Sequence, residues 1–131
     1  MAFLSSVKLS FIRYIQFSDR ATRVELLWWV LFRSTIMVIA ILIDISNDTF
    51  IFHLVVGPVS GVIGSITLLP SLSLGVRRLH DVNRSGWWIL AGLLFPIGSF
   101  MLIKWLLEPG DSCRNRYGNN PYVSNLQKTK E

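Results

Sequence analysis

The stretch LLWWVLFRSTIMVIAILI, residues Leu26 to Ile43, is interrupted by only one charged side chain, Arg33. At about 1.5 Å per residue, a helix of this length extends about 27 Å and just spans the hydrocarbon of a bilayer. A second apolar run, from Phe50 to Val76, contains no Asp, Glu, Lys or Arg and is long enough to cross with a tilt. These two runs predict an integral membrane protein.

The composition of the whole chain agrees with this prediction. Of the 131 residues, 51% are hydrophobic and only 16% are charged, whereas soluble domains contain about 25% charged residues. The net charge of +5 does not indicate nucleic acid, because the basic residues flank apolar segments, where each contributes about 1 kcal/mol of attraction to an anionic leaflet. We therefore expect the lipid bilayer, including anionic lipid, as a partner. The single cysteine, Cys113, and the lack of metal-ligand spacing predict no disulfide, no metal and no cofactor.

A third apolar run, residues 87–107, allows two topologies. A continuous helix would make a third crossing, whereas a re-entrant hairpin that turns at Pro96 would return the chain to the side from which it came. The charge of Lys104, Arg114 and Arg116 favours the hairpin, because it keeps basic residues on the cytoplasmic side. The length favours a crossing, since each hairpin arm reaches only about half of the bilayer. Three crossings are the prediction, and the hairpin is the alternative.

The predicted fold is a single all-α membrane domain over residues 1–131, with a cytoplasmic N-terminus by the positive-inside rule. Residues 1–23 alternate apolar and polar side chains at near-helical spacing, which predicts an amphipathic interfacial helix, docking against protein being the alternative. The predicted parts are an N-terminal segment (1–23), three membrane segments (24–45, 50–76 and 87–107) and a polar tail (109–131).

Charged residues concentrate at the predicted cytoplasmic ends of the helices. Two acids, Glu25 and Asp81, face a surplus of arginines, whose planar forks suit bidentate contact with phosphate. The arginines either pair with these acids and fix the topology, or they also bind an anionic lipid headgroup or a protein partner. The candidate cluster consists of Arg20, Arg23, Glu25, Arg77, Arg78, His80, Asp81, Arg84, Asn115 and Arg116.

Two further patterns suggest other functions. His80 and Asp81 resemble an acid/base pair, but adjacent residues do not face each other on a helix and no nucleophile is identified, so we expect no enzyme. Small residues at Gly57, Gly61 and Gly64 form a stripe on which a helix of this chain or of a second copy packs closely. The alternative function is therefore a subunit of an oligomeric small-solute transporter or channel. In that version Arg33, which otherwise snorkels toward the headgroups, lines the path.

Four separated motifs carry a resemblance to a known family: FSDRATRVE (17–25), RRLHD (77–81), RSGWW (84–88) and NRYG (115–118). Together they resemble the DUF805 family of small bacterial inner-membrane proteins, the YhaH-like proteins, over about residues 10–121. The resemblance implies a location in the bacterial inner (plasma) membrane and three or four membrane segments, with no assigned catalytic residue. Asp19 and Asn83 stand where this family usually has Gly. We therefore predict a small non-enzymatic membrane protein whose charge cluster organises the helices and binds anionic lipid headgroups or a protein partner.

Overall fold

The computed structural model of the protein describes residues 3–52, 54 and 56–121. These residues form four α-helices and one 3-10 helix, with only isolated β-bridges between them. The all-α prediction is confirmed for this part of the chain, while the predicted tail beyond residue 121 lies outside it. In chain order the helices are α1 (Phe3–Ile12), α2 (Arg23–Ser46), α3 (Pro58–Asp81), the 3-10 helix (Gly86–Leu93) and α4 (Ile97–Leu107).

The two long helices, α2 and α3, are long and apolar enough to cross a membrane. Each has 24 residues and is therefore about 36 Å long. Helix α2 matches the predicted segment 24–45 closely. Helix α3 begins at Pro58, eight residues later than the predicted start at 50, because Pro is favoured in the first turn of a helix, where its missing N–H leaves no bond unmade.

The two long helices lie antiparallel and are joined by polar contacts at successive levels. Trp29 donates from its indole N–H to Ser71 Oγ at 3.0 Å, and Arg33 Nε donates to Thr67 Oγ1 at 3.3 Å. The buried side chain of Trp29 also belongs to a small core, whose other buried members are Ala21, Leu26 and Leu74. Arg33 thus points toward α3, and the snorkelling geometry that we expected for it is not observed.

The outer surface of the helix pair is apolar. A soluble monomer rarely exposes such a large contiguous apolar surface, whereas a bilayer covers it. The exposed side chains include Leu27, Leu31, Val38, Ile39 and Leu42 on α2 and Val62, Ile66, Leu68, Leu69 and Leu72 on α3.

Helices α2 and α3 both begin at a side-chain cap. Thr22 accepts a hydrogen bond from the Glu25 N–H at 3.2 Å and so starts α2. The cap of α3 comes from the other helix: the buried carboxylate of Asp44 accepts from the N–H groups of Val59 at 3.0 Å and Ser60 at 2.8 Å. We call this end of the helix pair the Asp44 end. The opposite end, where α3 finishes at Asp81, is the charge-cluster end.

Helix α1 crosses α2 and is docked against it. Phe3 near its start and Phe11 near its end both contact Phe32 of α2, with ring centroids 6.4 and 6.2 Å apart. The side of α1 that faces the protein combines these two rings with two fully buried serines, Ser6 and Ser10. The helix is shorter than the predicted segment 1–23, of which residues 1 and 2 lie outside the described part. The contacts of α1 agree with the alternative prediction, in which this segment docks against protein. The prediction of an amphipathic interfacial helix is not confirmed.

The segment after α1 supplies a hydrogen-bond donor that Pro70 removes from α3. Pro70 lies inside this helix and has no N–H, so the carbonyl of Ile66, four residues earlier, loses its helical partner. The hydroxyl of Tyr14 donates to this carbonyl at 2.8 Å. A proline bends or weakens an isolated helix. Here the long-range hydrogen bond from Tyr14 replaces the helical hydrogen bond that Pro70 cannot form.

Residues 87–107 form a helical hairpin, and the predicted third long helix is not observed. The 3-10 helix and α4 run back along each other, so that the rings of Trp88 and Trp105 lie 5.2 Å apart. At the turn a Cβ on Gly98 would lie 2.1 Å from the carbonyl oxygen of Ala91, so only glycine permits this approach. Each arm is about 16 Å long, about half of the hydrocarbon thickness.

Candidate functional site

Asp81, in the last turn of α3, is the centre of the charge cluster. Its Oδ1 accepts from Arg20 Nε at 2.8 Å, and its Oδ2 accepts from Arg78 Nη1. All three side chains are almost completely buried. Removing charges from water is expensive unless they are paired and fully hydrogen-bonded, so one carboxylate shared by two guanidinium groups requires further acceptors nearby.

Arg78 finds those acceptors at the end of α4. Its Nε donates to the carbonyl of Leu106 at 2.9 Å, and its Nη2 donates to the carbonyl of Glu108. The last carbonyls of a helix have no intrahelical partner and carry partial negative charge, which a cation satisfies. Arg78 therefore caps α4 and fixes the second arm of the hairpin to the end of α3.

Arg20 fixes the segment that follows α4. Its Nη1 donates to the carbonyl of Cys113 at 2.7 Å, and its Nη2 donates to the carbonyl of Asp111. The same segment packs directly on Asp81, since a Cβ on Gly110 would lie 1.9 Å from Asp81 Oδ2. The first part of the polar tail is thus folded onto the charge cluster.

Glu25 and Arg77 form a second, less complete ion pair in which Arg77 Nη1 donates to Glu25 Oε1 at 3.1 Å. Both side chains are buried. The backbone of Arg77 also holds the N-terminal segment, because its carbonyl accepts from the Ala21 N–H at 3.1 Å. Arg77 Nε and Nη2 are buried and have no hydrogen-bond partner in the structure, which is costly for a charged donor.

His80 takes part in a stack and does not pair with Asp81, whose carboxylate is bound by the arginines. The rings of His80 and Tyr117 are 3.9 Å apart and nearly parallel, and Asn115 Nδ2 donates to the His80 carbonyl at 2.9 Å. The side chain of His80 lies in the last turn of α3 and is buried. The ring borders a largely apolar cavity of about 430 Å³.

The remaining arginines of the predicted cluster lie at its edge. The guanidinium of Arg84 is 4.2 Å from the ring centroid of Trp105, a cation–π arrangement. Arg116 is exposed and donates to the carbonyl of Asn83 at 3.0 Å. Arg23 is exposed at the first position of α2. The structure therefore separates buried arginines, which hold the fold, from peripheral ones.

The predicted glycine stripe is used largely within the chain. A Cβ on Gly57 would lie 2.4 Å from Asp44 Cγ, and one on Gly64 would lie 3.6 Å from Met37 Cε, both on α2. The nearest neighbour of a Cβ on Gly61 would be Val56, on the connector before α3. Helix α2 therefore packs against Gly57 and Gly64, but not against Gly61.

The backbone angles at two turn positions explain why the resemblance led us to expect glycine there. Asp19 has φ 76° and Asn83 has φ 56°, in the left-handed region that glycine adopts at no steric cost. Asn is the better tolerated of the two substitutes, because its short amide side chain stabilises this conformation. Asp19 instead accepts from Gln16 Nε2 at 2.9 Å.

The sequence did not indicate which backbone groups complete the cluster. The carbonyls of Leu106, Glu108 and Asp111 and the close approach of Gly110 are all essential to its geometry. The only signal for them was the Pro-Gly pair at 109–110 after an apolar run, which predicts a turn but not what the turn packs against.

Comparison with known proteins identifies relatives. Residues 14–119 match the model of a family of proteins of unknown function, DUF805. The chain is 38% identical over 108 residues to the inner membrane protein YhaI of Escherichia coli K12, covering 82% of this chain and 87% of that protein. It is 35% identical over 65 residues to the inner membrane protein YhaH of the same strain, covering 50% of this chain and 54% of that protein. No solved structure matches the chain.

Proposed function

The chain belongs to the DUF805 family of membrane proteins, and from this premise we propose that it is a non-enzymatic inner membrane protein whose charge cluster folds a cytoplasmic cap that binds anionic lipid headgroups. The cap consists of the charge-cluster end, the ends of the hairpin and residues 108–121. In this proposal α2 and α3 span the membrane, and the hairpin enters from the cytoplasmic side and returns to it.

The proposed topology follows from the contacts of Arg20 and Arg78. Arg20 lies before the first span, and its guanidinium reaches residues 111 and 113 after the hairpin. Arg78 joins the end of the second span to the end of α4. These contacts support a topology in which the N-terminal side and the tail share one end of the pair, and the positive-inside rule predicts that this basic end is cytoplasmic.

Thiol labelling tests this topology, since Cys113 is exposed and is the only cysteine. We expect a membrane-impermeant maleimide to label Cys113 only after spheroplasts are permeabilised. In the control, Ser46→Cys in a Cys113→Ser background, the exposed end of α2 should react in intact spheroplasts. Labelling of Cys113 in intact spheroplasts would contradict the proposal.

The proposed lipid binding rests on how the charges are distributed. Among the described residues the ion pairs involve only Arg20, Arg77 and Arg78, and all of them are buried. Arg23, Arg114 and Arg116 are exposed and take no part in those pairs. Exposed guanidinium groups at headgroup level are matched by lipid phosphate, which they bind with paired N–H donors. Arg77 and Arg78, which the sequence suggested for this role, are fully buried.

The experiment removes the exposed charges and leaves the buried ones in place. We expect Arg23→Gln/Arg114→Gln/Arg116→Gln to retain several-fold less phosphatidylglycerol than the wild type in native mass spectra of protein released from mixed nanodiscs. Phosphatidylcholine retention should not change. Lys8→Gln, which removes an exposed cation from α1, is the control. Equal phosphatidylglycerol retention by the triple variant and the wild type would contradict lipid binding.

A further inference from the structure

A cavity of about 350 Å³ lies between α2, α3 and the hairpin. Ligand sites of small molecules generally have volumes of about 300–1,000 Å³. Apolar side chains form most of the wall, among them Ile89 and Leu106 of the hairpin. The polar groups that line it are Trp29, Arg33, Ser34 and Ser71.

The position of Arg33 along the helix pair is fixed by its neighbours. Glu25 pairs with Arg77 at one end, and Asp44 caps the start of α3 at the other. Arg33 is eight residues from Glu25 and eleven from Asp44, so about 12 Å and about 16 Å separate it from these acids along the axis. Its Nε bonds Thr67 Oγ1 near the middle of α3. Arg33 therefore lies at mid-depth in the helix pair.

No described residue supplies an acid at that depth. Helix α3 has no Asp or Glu before Asp81, and the hairpin residues 86–107 have none at all. The ion pairs of the described chain do not include Arg33. Ionisable side chains within a membrane segment normally face a partner charge or a functional cavity, and Arg33 faces a cavity.

We propose that this cavity binds the carboxylate of a single-chain lipophilic acid of the fatty-acid type, with Arg33 as the counter-ion and the acyl chain leading into the surrounding lipid. A carboxylate matches the planar guanidinium fork. A carboxylic acid also reaches mid-depth without carrying a charge, because desolvation favours its protonated form until a cation is adjacent. A phospholipid phosphate would have to leave the headgroup region with its charge intact. The mainly apolar wall fits an acyl chain.

The test uses full-length protein in nanodiscs of phosphatidylcholine, with radiolabelled palmitate and radiolabelled methyl palmitate as probes. The wild type should bind palmitate saturably and methyl palmitate at least tenfold more weakly. Arg33→Gln should lower palmitate affinity at least tenfold and leave methyl palmitate binding unchanged, and Arg33→Lys should restore part of the palmitate affinity. Lys8→Gln, which removes an exposed cation from α1 and lies outside both proposed sites, should bind palmitate as the wild type does.

A second variant keeps the test decisive if Arg33→Gln does not fold. Ser34 lines the cavity with an exposed side chain, so Ser34→Phe should fill the space without disturbing a buried contact and should lower palmitate affinity at least tenfold. Unchanged palmitate binding by folded Arg33→Gln or by Ser34→Phe would overturn the proposal. Absence of saturable palmitate binding to the wild type would also overturn it.

Discussion

The Asp44 end and the charge-cluster end of the α2–α3 pair both satisfy unpaired backbone groups, but they do so between residues at very different separations along the chain. At both ends a buried ion from one helix satisfies backbone groups that a neighbouring helix leaves without partners. Asp44 reaches the amides of residues 59 and 60, which follow it after a short connector. Arg78 reaches the carbonyls of residues 106 and 108, and Arg20 reaches residues 111 and 113. The Asp44 end is therefore locally determined, whereas the charge-cluster end depends on nearly the whole chain.

The largest effect is expected from Asp81→Asn, which breaks the charge-cluster end at its centre. Arg20 and Arg78 would lose their shared carboxylate while remaining buried, and removing one partner of a buried ion pair costs about 3–5 kcal/mol. Thermal or denaturant unfolding in detergent, followed by tryptophan fluorescence, measures this loss. Asp48→Asn, in the exposed connector, is the control. A loss below about 1 kcal/mol would mean that the arginines do not depend on Asp81.

Replacing both partners of an ion pair distinguishes the Glu25–Arg77 pair from the group in which Arg20 and Arg78 share Asp81. Glu25→Leu alone should cost about 3 kcal/mol, whereas Glu25→Leu/Arg77→Met should lie within about 1 kcal/mol of the wild type, because apolar replacement of a complete buried pair is often neutral. The same unfolding measurement applies.

The corresponding control is Asp81→Leu/Arg78→Met. This double variant should remain strongly destabilised, since Arg20 loses its carboxylate and the end of α4 loses its cap. Equal stability of the two double variants would remove the distinction between the two ion-pair groups.

The Asp44 end should tolerate substitution better. Asp44→Ala removes a cap from the first turn of α3, which costs about 1–2 kcal/mol, and Asp44→Asn should cost less because an amide oxygen still accepts a hydrogen bond. The comparison with Asp81→Asn in the same detergent is the measurement. If Asp44→Ala is as destabilising as Asp81→Asn, the two ends do not differ as we describe.

The smallest effect is expected from Asp19→Gly at the entry to the charge-cluster end. Asp19 has a positive φ that glycine adopts without strain, so the substitution should stabilise the protein by about 0.5–1 kcal/mol. Asp19→Ala should change stability in the opposite direction. A melting temperature that falls in Asp19→Gly would show that the bond from Gln16 outweighs the backbone strain.

The sequence predicted the members of the cluster but not which arginines are buried in ion pairs and which are exposed. Arg77 and Arg78 follow an apolar run, which was enough to place them at a helix end with Asp81. Their pairing depends on the path of residues 106–118, whose contribution comes from main-chain carbonyls and from the missing side chain of Gly110. Such groups have no signature in a sequence.

The hairpin shows how two valid rules can conflict. The charge of residues 104–116 favoured a return to the starting side, and the length of the run favoured a crossing. The structure forms the hairpin that the charge rule favoured, and one side of it packs on α3: a Cβ on Gly75 would meet Ile89, and one on Gly86 would meet Val76. Packing between these elements could not be estimated from length or charge alone.

The long reach of Arg20 has a consequence for biosynthesis. Its acceptors at Asp111 and Cys113 leave the ribosome 91 and 93 residues later, after α2, α3 and the whole hairpin have been made. Until then its guanidinium has to be solvated by water or by headgroups at the membrane surface. The charge-cluster end is therefore closed only after residue 113 has been made, and a polypeptide released before residue 110 would leave the guanidinium of Arg20 without both of these acceptors.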